Sequence, residues 1–187
     1  MDGTAGCIFQ EQAADRGLDA RQLKSTPGLG SLSICDYPMD LLLKPWYETS
    51  RHTGRAMIHV LLYRKFTSRK WFVMGDDDTI FNPLALARYL SSPRLATPSE
   101  AWYIGARSEN VAARQLNGWD MAPGGAGIIL SAGLLREDGF FLQRCLDVAP
   151  WSNSQATGDW VLNRCLGRLG VALTATGKSN YRFSIVS

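Results

Sequence analysis

Three consecutive carboxylates, Asp76, Asp77 and Asp78, follow the apolar run Trp71-Phe72-Val73-Met74 with only Gly75 between them. A buried isolated carboxylate is strongly disfavoured, and adjacent ones repel one another. Two settings tolerate such a tip. One is a cation held where a core strand ends at a cleft; the other is a solvated turn whose aspartates cap the next element. Hard carboxylate oxygens with no Cys or His beside them suit Mg2+ or Mn2+, ions that usually arrive carrying phosphates.

Two further groups could join that chemistry. Gly124-Gly125-Ala126-Gly127 runs into Ile128-Ile129-Leu130. Glycines there permit positive φ and close approach of backbone to a ligand, or simply a tight turn before a buried strand. The loop lacks the G-x-G-x-x-G and G-K-S/T patterns of dinucleotide and P-loop sites. Asp159 opens a helical pattern carrying Trp160, Val161, Leu162, Cys165, Leu166 and Leu169. It is placed to act as an N-cap, and as a carboxylate at a helix start it is a third candidate for a cleft.

The elements that must position these groups are read from periodicity. Lys70 to Gly75 is a strand; Asn82 is an N-cap, Pro83 fits the first helical position, and Leu84 to Leu90 is a helix stopping before Pro93. Ala101 to Gly105 is a second core strand, and residues 106–120 form a loop. Ser131 caps a helix reaching about Val148; Gly170 ends the helix begun at Asp159, and Val171 to Thr174 is a last strand. Upstream, Leu32 to Cys35 fits a short strand and residues 47–66 a helix whose apolar stripe is Met57, Ile58, Leu61, Leu62 and Phe66, with His59 at its edge. Residues 1–30 carry no firm pattern. Strands alternating with helices predict an α/β fold with a mainly parallel sheet, and ligands of such sheets lie beyond the carboxyl ends of the strands.

The 187 residues are 45% hydrophobic and 20% charged, which is ordinary for one globular domain. A net charge of +3 without a block of Lys or Arg gives no case for nucleic acid. No stretch approaches the ~18 apolar residues of a transmembrane helix, and Met1 to Gly30 has no signal-peptide core, so the chain as given reads as soluble. The four cysteines include no C-x-x-C pair, and the two histidines, His52 and His59, complete no zinc pattern. Cys145 and Cys165 both fall on predicted helices, and spacing alone does not pair them.

Four blocks in order resemble the fringe-related β1,3-glycosyltransferases, with the fringe-like proteins of plants and algae the nearest likeness and core-1 β1,3-galactosyltransferases more distant. They are Trp71 to Thr79 as a DxD segment, Trp102-Tyr103-Ile104-Gly105, Gly124 to Ser131, and Asp159 to Leu166 continuing to Leu169-Gly170-Val171. The resemblance spans roughly residues 70–174 and implies a GT-A-like, Rossmann-like fold with a mostly parallel sheet flanked by helices. It implies inverting transfer of a sugar from a UDP-sugar to a glycan or glycoprotein hydroxyl. Asp76 and Asp78 would hold Mn2+ (or Mg2+), with Asp78 the direct ligand and Asp76 or Asp77 nearer the ribose. Gly124, Gly125, Ala126 and Gly127 would lie against the sugar or acceptor, and Asp159 would be the general base. Cys145 and Cys165 stand where the family carries a disulfide. Among the tryptophans, Trp119 and Trp151 are placed to touch a sugar face, whereas Trp71 and Trp160 have core-like spacing.

The resemblance also implies features this sequence does not carry. The family's first strand and helix are not visible in residues 1–45, no histidine follows His59 to complete the metal shell, and Gly158 stands where an acid usually precedes the base. The expectation is a poorly defined lead-in over 1–45 and a partial GT-A-like domain over 46–187, truncated at the N-terminus and incomplete at both ends. Its family setting is the Golgi lumen, with membrane attachment only through an anchor absent from this chain. The alternative function is a non-catalytic fringe-like paralogue that binds a glycan or protein partner. A glycoside hydrolase using Asp78 and Asp159 is disfavoured, because three adjacent aspartates suit a cation better than a protonated acid.

Overall fold

The computed structural model describes residues 6–9, 32–35, 64, 66–75, 79–95, 97–108, 120–137, 145 and 157–176. Two compact units divide the chain, Met1–Leu42 and Leu43–Ser187. In the first, strands β1 (Gly6–Phe9) and β2 (Leu32–Cys35) pair in parallel, from Gly6 opposite Leu32 to Phe9 opposite Cys35. Strand β2 matches the expectation. Strand β1 falls where no firm pattern was read, because Cys7-Ile8-Phe9 is too short an apolar run to display a period.

The second unit holds β3 (Trp71–Met74), α1 (Pro83–Leu90), β4 (Tyr103–Gly105), β5 (Ile128–Ser131), α2 (Ala132–Glu137), α3 (Gly158–Arg168) and β6 (Leu173–Ala175). Its four strands lie in the order β3-β5-β4-β6. Strand β5 runs antiparallel to both neighbours, and only β4 and β6 pair in parallel. The α/β reading holds, but among the described strands of this unit the sheet is not mostly parallel: two of the three described pairings are antiparallel. The reversal lies in β5 alone: β3 and β4 both run against it and so point the same way, and β6 follows β4. The loop expected over residues 106–120 lies for the most part outside the described residues.

Strand pleating sorts the core. Val73, Ile129 and Ile104 align across the sheet. On their face Leu95, Ile104 and Ile129 form a buried cluster covered by Trp71, Val73, Leu86, Tyr89, Leu90 and Trp102. Phe72, Leu130 and Tyr103 align on the opposite face, all of them buried. The central strand β5 is buried along its whole length, which explains a continuous apolar run where a half-exposed strand would alternate. In α3, Val161, Leu162, Cys165 and Leu166 are wholly buried, a stripe at helical spacing. Each such side chain contributes ~1.5–3 kcal/mol by leaving water.

Helix ends follow the sequence signals. The Ala85 amide donates to Asn82 Oδ1 at 3.0 Å, and Pro83 opens α1. Helix α3 closes with Gly170 at φ +76°, the Gly170 amide donating to Gly167 O at 3.1 Å and that of Val171 to Leu166 O at 2.9 Å. That pair of bonds is the Schellman arrangement, which satisfies carbonyls the helix leaves open. Cys145 and Cys165 form a disulfide with Cα atoms 5.7 Å apart. It closes a loop whose ends are 20 residues apart, worth about 3 kcal/mol on the chain-entropy account. The helix expected over 47–66 lies almost wholly outside the described residues, as does the stretch of the helix expected from Ser131 that runs past α2, apart from Cys145.

Candidate functional site

One end of the four-stranded sheet gathers the groups singled out in the sequence. Met74 and Gly105 both pair with Ile128, and Gly105 pairs with Ala175. The carboxyl ends of β3, β4 and β6 therefore lie in a row with the amino end of β5. Gly75 leaves that row from β3, and the glycine segment enters it at β5. The antiparallel course of β5 is what brings the glycines to the same edge as the carboxyl ends of its neighbours.

Gly124–Ala126 forms a single 3-10 turn, with the Ala126 amide donating to Pro123 O at 3.2 Å and the Gly127 amide to Gly124 O at 2.9 Å. Gly127 adopts φ +84°, and a Cβ placed there would meet the Phe81 ring at 2.6 Å. Both reasons for glycine apply at this one position. The group approaching its backbone is an aromatic ring of the chain itself. Thr79, the residue after the aspartates, donates its hydroxyl to Gly125 O at 3.0 Å. Gly75, the residue before them, packs on the Thr79 side chain so closely that a Cβ would come within 2.6 Å of it. Asp76, Asp77 and Asp78 themselves lie outside the described residues. Among the described residues no three His, Cys, Asp or Glu side chains form a group that could hold a metal ion.

Asp159 reaches the glycine turn from α3. Its Oδ2 accepts from the Gly124 amide at 3.1 Å. Its Oδ1 accepts from the Trp160 amide at 2.8 Å and also from the Thr157 hydroxyl. Thr157 occupies the N-cap position without capping through its side chain, and Gly158 is the first helical residue. Asp159 is thus inside the first turn, where its carboxylate serves one of the amides a helix start leaves unpaired. The positive end of the helix favours a negative charge there by ~0.3–1 kcal/mol. A carboxylate offers about four acceptor positions. Three are engaged by these bonds, and Asp159 stays partly exposed.

Tyr103 supports the same end from beneath. It is wholly buried, and its hydroxyl accepts from the Ala122 amide at 2.9 Å. Burial pushes its pKa well above the usual 10.0; the Ala122 bond opposes that and the nearby charge of Asp159 adds to it. A Cβ on Gly105 would meet Ala122 Cβ at 2.4 Å, so the segment before the glycine turn lies directly on the end of β4. At the rim, Arg107 and Asp120 form an ion pair of 2.6 Å. Being solvated, it contributes only ~0–1 kcal/mol.

The structure therefore brings Asp159, the glycine turn and both flanks of the aspartate segment together. Trp71 packs against the Leu95 cluster as its spacing suggested, whereas Trp160 is only partly buried and carries Arg164 over its ring at 5.4 Å. Trp119 and Trp151 lie outside the described residues. Thr79, Phe81 and Tyr103 were not singled out from sequence. Thr79 and Tyr103 stand inside the blocks that carried the resemblance, which is the one signal that pointed to them.

The sequence model of the family described as Fringe-like matches residues 47–179, well over half of the chain. The chain belongs to the Fringe-like family. Glycosyltransferase chemistry with nucleotide sugars and glycan acceptors is the general business of that family, and the sheet end described above lies within the matched segment of this Fringe-like chain. No curated protein matches it. None of its described helices is long and apolar enough to cross a membrane.

Proposed function

We propose that this Fringe-like chain carries the catalytic core of an inverting glycosyltransferase, moving a sugar from a UDP-sugar to a hydroxyl of a glycan or glycoprotein. The observation that carries this reading is the shared anchorage on the glycine turn. Asp159 accepts from the Gly124 amide, and Thr79, next in sequence to Asp78, donates to Gly125 O. A candidate base and the neighbour of a candidate metal segment are thereby tied one peptide unit apart. The end of the sheet fits a GT-A-like fold over residues 46–187, with residues 1–45 a separate lead-in.

Asp159 is the general base. Its Oδ2 engages only one amide, so a lone pair remains to receive the proton of the acceptor hydroxyl. As that oxygen attacks the anomeric carbon, the new C–O bond forms on the face opposite the breaking bond to UDP. The configuration inverts, the proton ends on Asp159 and the electron pair leaves with the diphosphate. Such positioned proton transfer contributes ~10²–10⁴-fold. The donor set of Asp76 and Asp78, hard oxygens only, fits Mn2+ or Mg2+, with Asp76 and Asp77 toward the nucleotide. When bound, the cation supplies Lewis-acid stabilisation of the departing diphosphate. Gly124, Gly125, Ala126 and Gly127 form the wall facing sugar or acceptor. The Cys145–Cys165 bond suits an oxidising compartment such as the Golgi lumen.

A second reading has an observation of its own. Three of the four acceptor positions of Asp159 are already taken, as befits a residue that only braces the turn in a non-catalytic paralogue binding a glycan or protein partner. Calorimetry of the full chain with UDP and Mn2+ separates the two. The enzyme binds UDP only with Mn2+ present, and Asp78→Ala abolishes that binding; UDP binding unaffected by EDTA or by Asp78→Ala would overturn the metal assignment.

A further inference from the structure

Thr157 stands at the N-cap of α3, and its carbonyl accepts from the Val161 amide at 3.0 Å. A threonine there ordinarily turns its hydroxyl oxygen to accept from an amide of the first helical turn. In this chain the Trp160 amide, the third of that turn, donates instead to Asp159 Oδ1, and the Thr157 hydroxyl donates to that same oxygen. The threonine has become a donor to the carboxylate that took its place. Resting on the transferase reading above, we propose that Thr157 is a positioning residue for the general base. With the Trp160 amide it occupies Oδ1, which leaves Oδ2 as the oxygen that receives the acceptor's proton.

A carboxylate free to turn about its Cβ–Cγ bond can present either oxygen. Asp159 is held from two directions. Oδ1 takes two donors from its own helix start, whereas Oδ2 takes one, the Gly124 amide at 3.1 Å, from 35 positions away in sequence. Each oxygen has about two acceptor positions, so among the described residues Oδ1 is filled and Oδ2 keeps one open. Without the Thr157 hydroxyl each oxygen would hold a single amide, and nothing would distinguish them. That one bond therefore selects the reacting oxygen and fixes the plane of the carboxylate. Orientation matters because displacement of about 1 Å at reacting groups lowers a rate by about 100-fold. A threonine that served the helix alone would show its loss in unfolding and leave turnover of the folded chain as it was.

The test compares Thr157→Val, which keeps the shape and removes the hydroxyl, with Thr157→Ser, which keeps the hydroxyl. Thr157→Ala stands in if the valine variant does not fold. Gly170→Ala, strained at φ +76° with nothing within 4 Å, destabilises the other end of α3 and controls for stability loss. Full-length variants are assayed for UDP binding with Mn2+ by calorimetry and for UDP release from a panel of UDP-hexoses with simple glycosides as acceptors. The expected result is turnover ~10–100-fold lower in Thr157→Val or Thr157→Ala, with UDP binding retained, turnover restored in Thr157→Ser and unchanged in Gly170→Ala. Added to Asp159→Asn, Thr157→Val lowers turnover no further, because it acts only through the base. Equal turnover in Thr157→Val and wild type overturns this inference alone. So does equal impairment of Thr157→Ser and Thr157→Val, or a full further loss in the double variant. A wild-type chain that binds no UDP with Mn2+, or releases none from any UDP-hexose, overturns the transferase reading and this inference with it.

Discussion

Strand β5 is pinned at both ends by a side-chain oxygen, and the two attachments are built differently. At its carboxyl end Ser131 is wholly buried, its Oγ donating to Glu100 O at 2.6 Å and accepting from the Trp102 and Leu134 amides at 2.9 and 3.2 Å. One donor and two lone pairs are all a hydroxyl has, so this junction is neutral and saturated. At its amino end Asp159 holds the glycine turn with a charged, partly exposed carboxylate that retains an unfilled acceptor position. A saturated, neutral bridge has nothing left to offer a ligand. An unsaturated, charged one does, and that difference is what the proposed transfer chemistry would use at this end of the sheet.

Three substitutions test that contrast, from the largest loss of stability to the smallest. Gly133→Ala should be the most damaging, because its Cβ would lie 2.1 Å from Ser99 O and 2.6 Å from Glu100 O, backbone atoms that cannot turn aside. A loss of at least ~3 kcal/mol in denaturant unfolding is expected. A variant of near-normal stability would show that the saturated end is less tightly built than described. Ser131→Ala leaves the Trp102 and Leu134 amides without this acceptor, at ~2–4 kcal/mol for the pair. Urea midpoints measure it, and a change below about 1 kcal/mol would remove the distinction between the two ends.

Tyr103→Phe takes the acceptor from the Ala122 amide and should lower stability by ~1–2 kcal/mol at neutral pH. Its pH dependence is more telling. The pKa of Tyr103 is raised in the folded chain, so above its ordinary value of 10.0 the folded state holds a proton that the unfolded state releases. Stability contributed by this group is full below about pH 10 and falls as pH rises beyond it. Phenylalanine has no such dependence, so the gap between wild type and variant should narrow in alkaline unfolding titrations. A gap of constant size would mean that Tyr103 is not buried against the turn.

Much of the frame was legible because local chemistry dictates it. Asn82 before Pro83, Ser131 before Ala132 and Gly170 after Leu169 each solve a problem of unpaired backbone groups within a few residues, so the solution is written nearby. The direction of β5 was not legible. Ile128-Ile129-Leu130 fits a buried strand of either sense, and alternating elements favoured a parallel sheet, whereas β5 pairs antiparallel with both β3 and β4. The expected helix start at Asp159 was displaced by one residue to Gly158, since the carboxylate acts from within the first turn. Within the site, Asp159 and the glycines were visible by residue type. The bonds joining them were not, because the contact between Thr79 and Gly125 crosses 46 positions of sequence and leaves no local signature.

The central claim is that the unfilled acceptor position of Asp159 takes a proton during transfer. Asp159→Asn keeps the size of the side chain and an oxygen for one of its amide partners but removes the basic group. Measured together, UDP binding in Mn2+ and transfer to acceptor should diverge, with binding unchanged and transfer lowered by ~10²–10⁴-fold. Transfer at the wild-type rate in Asp159→Asn would contradict the account and leave Asp159 as a brace for the turn.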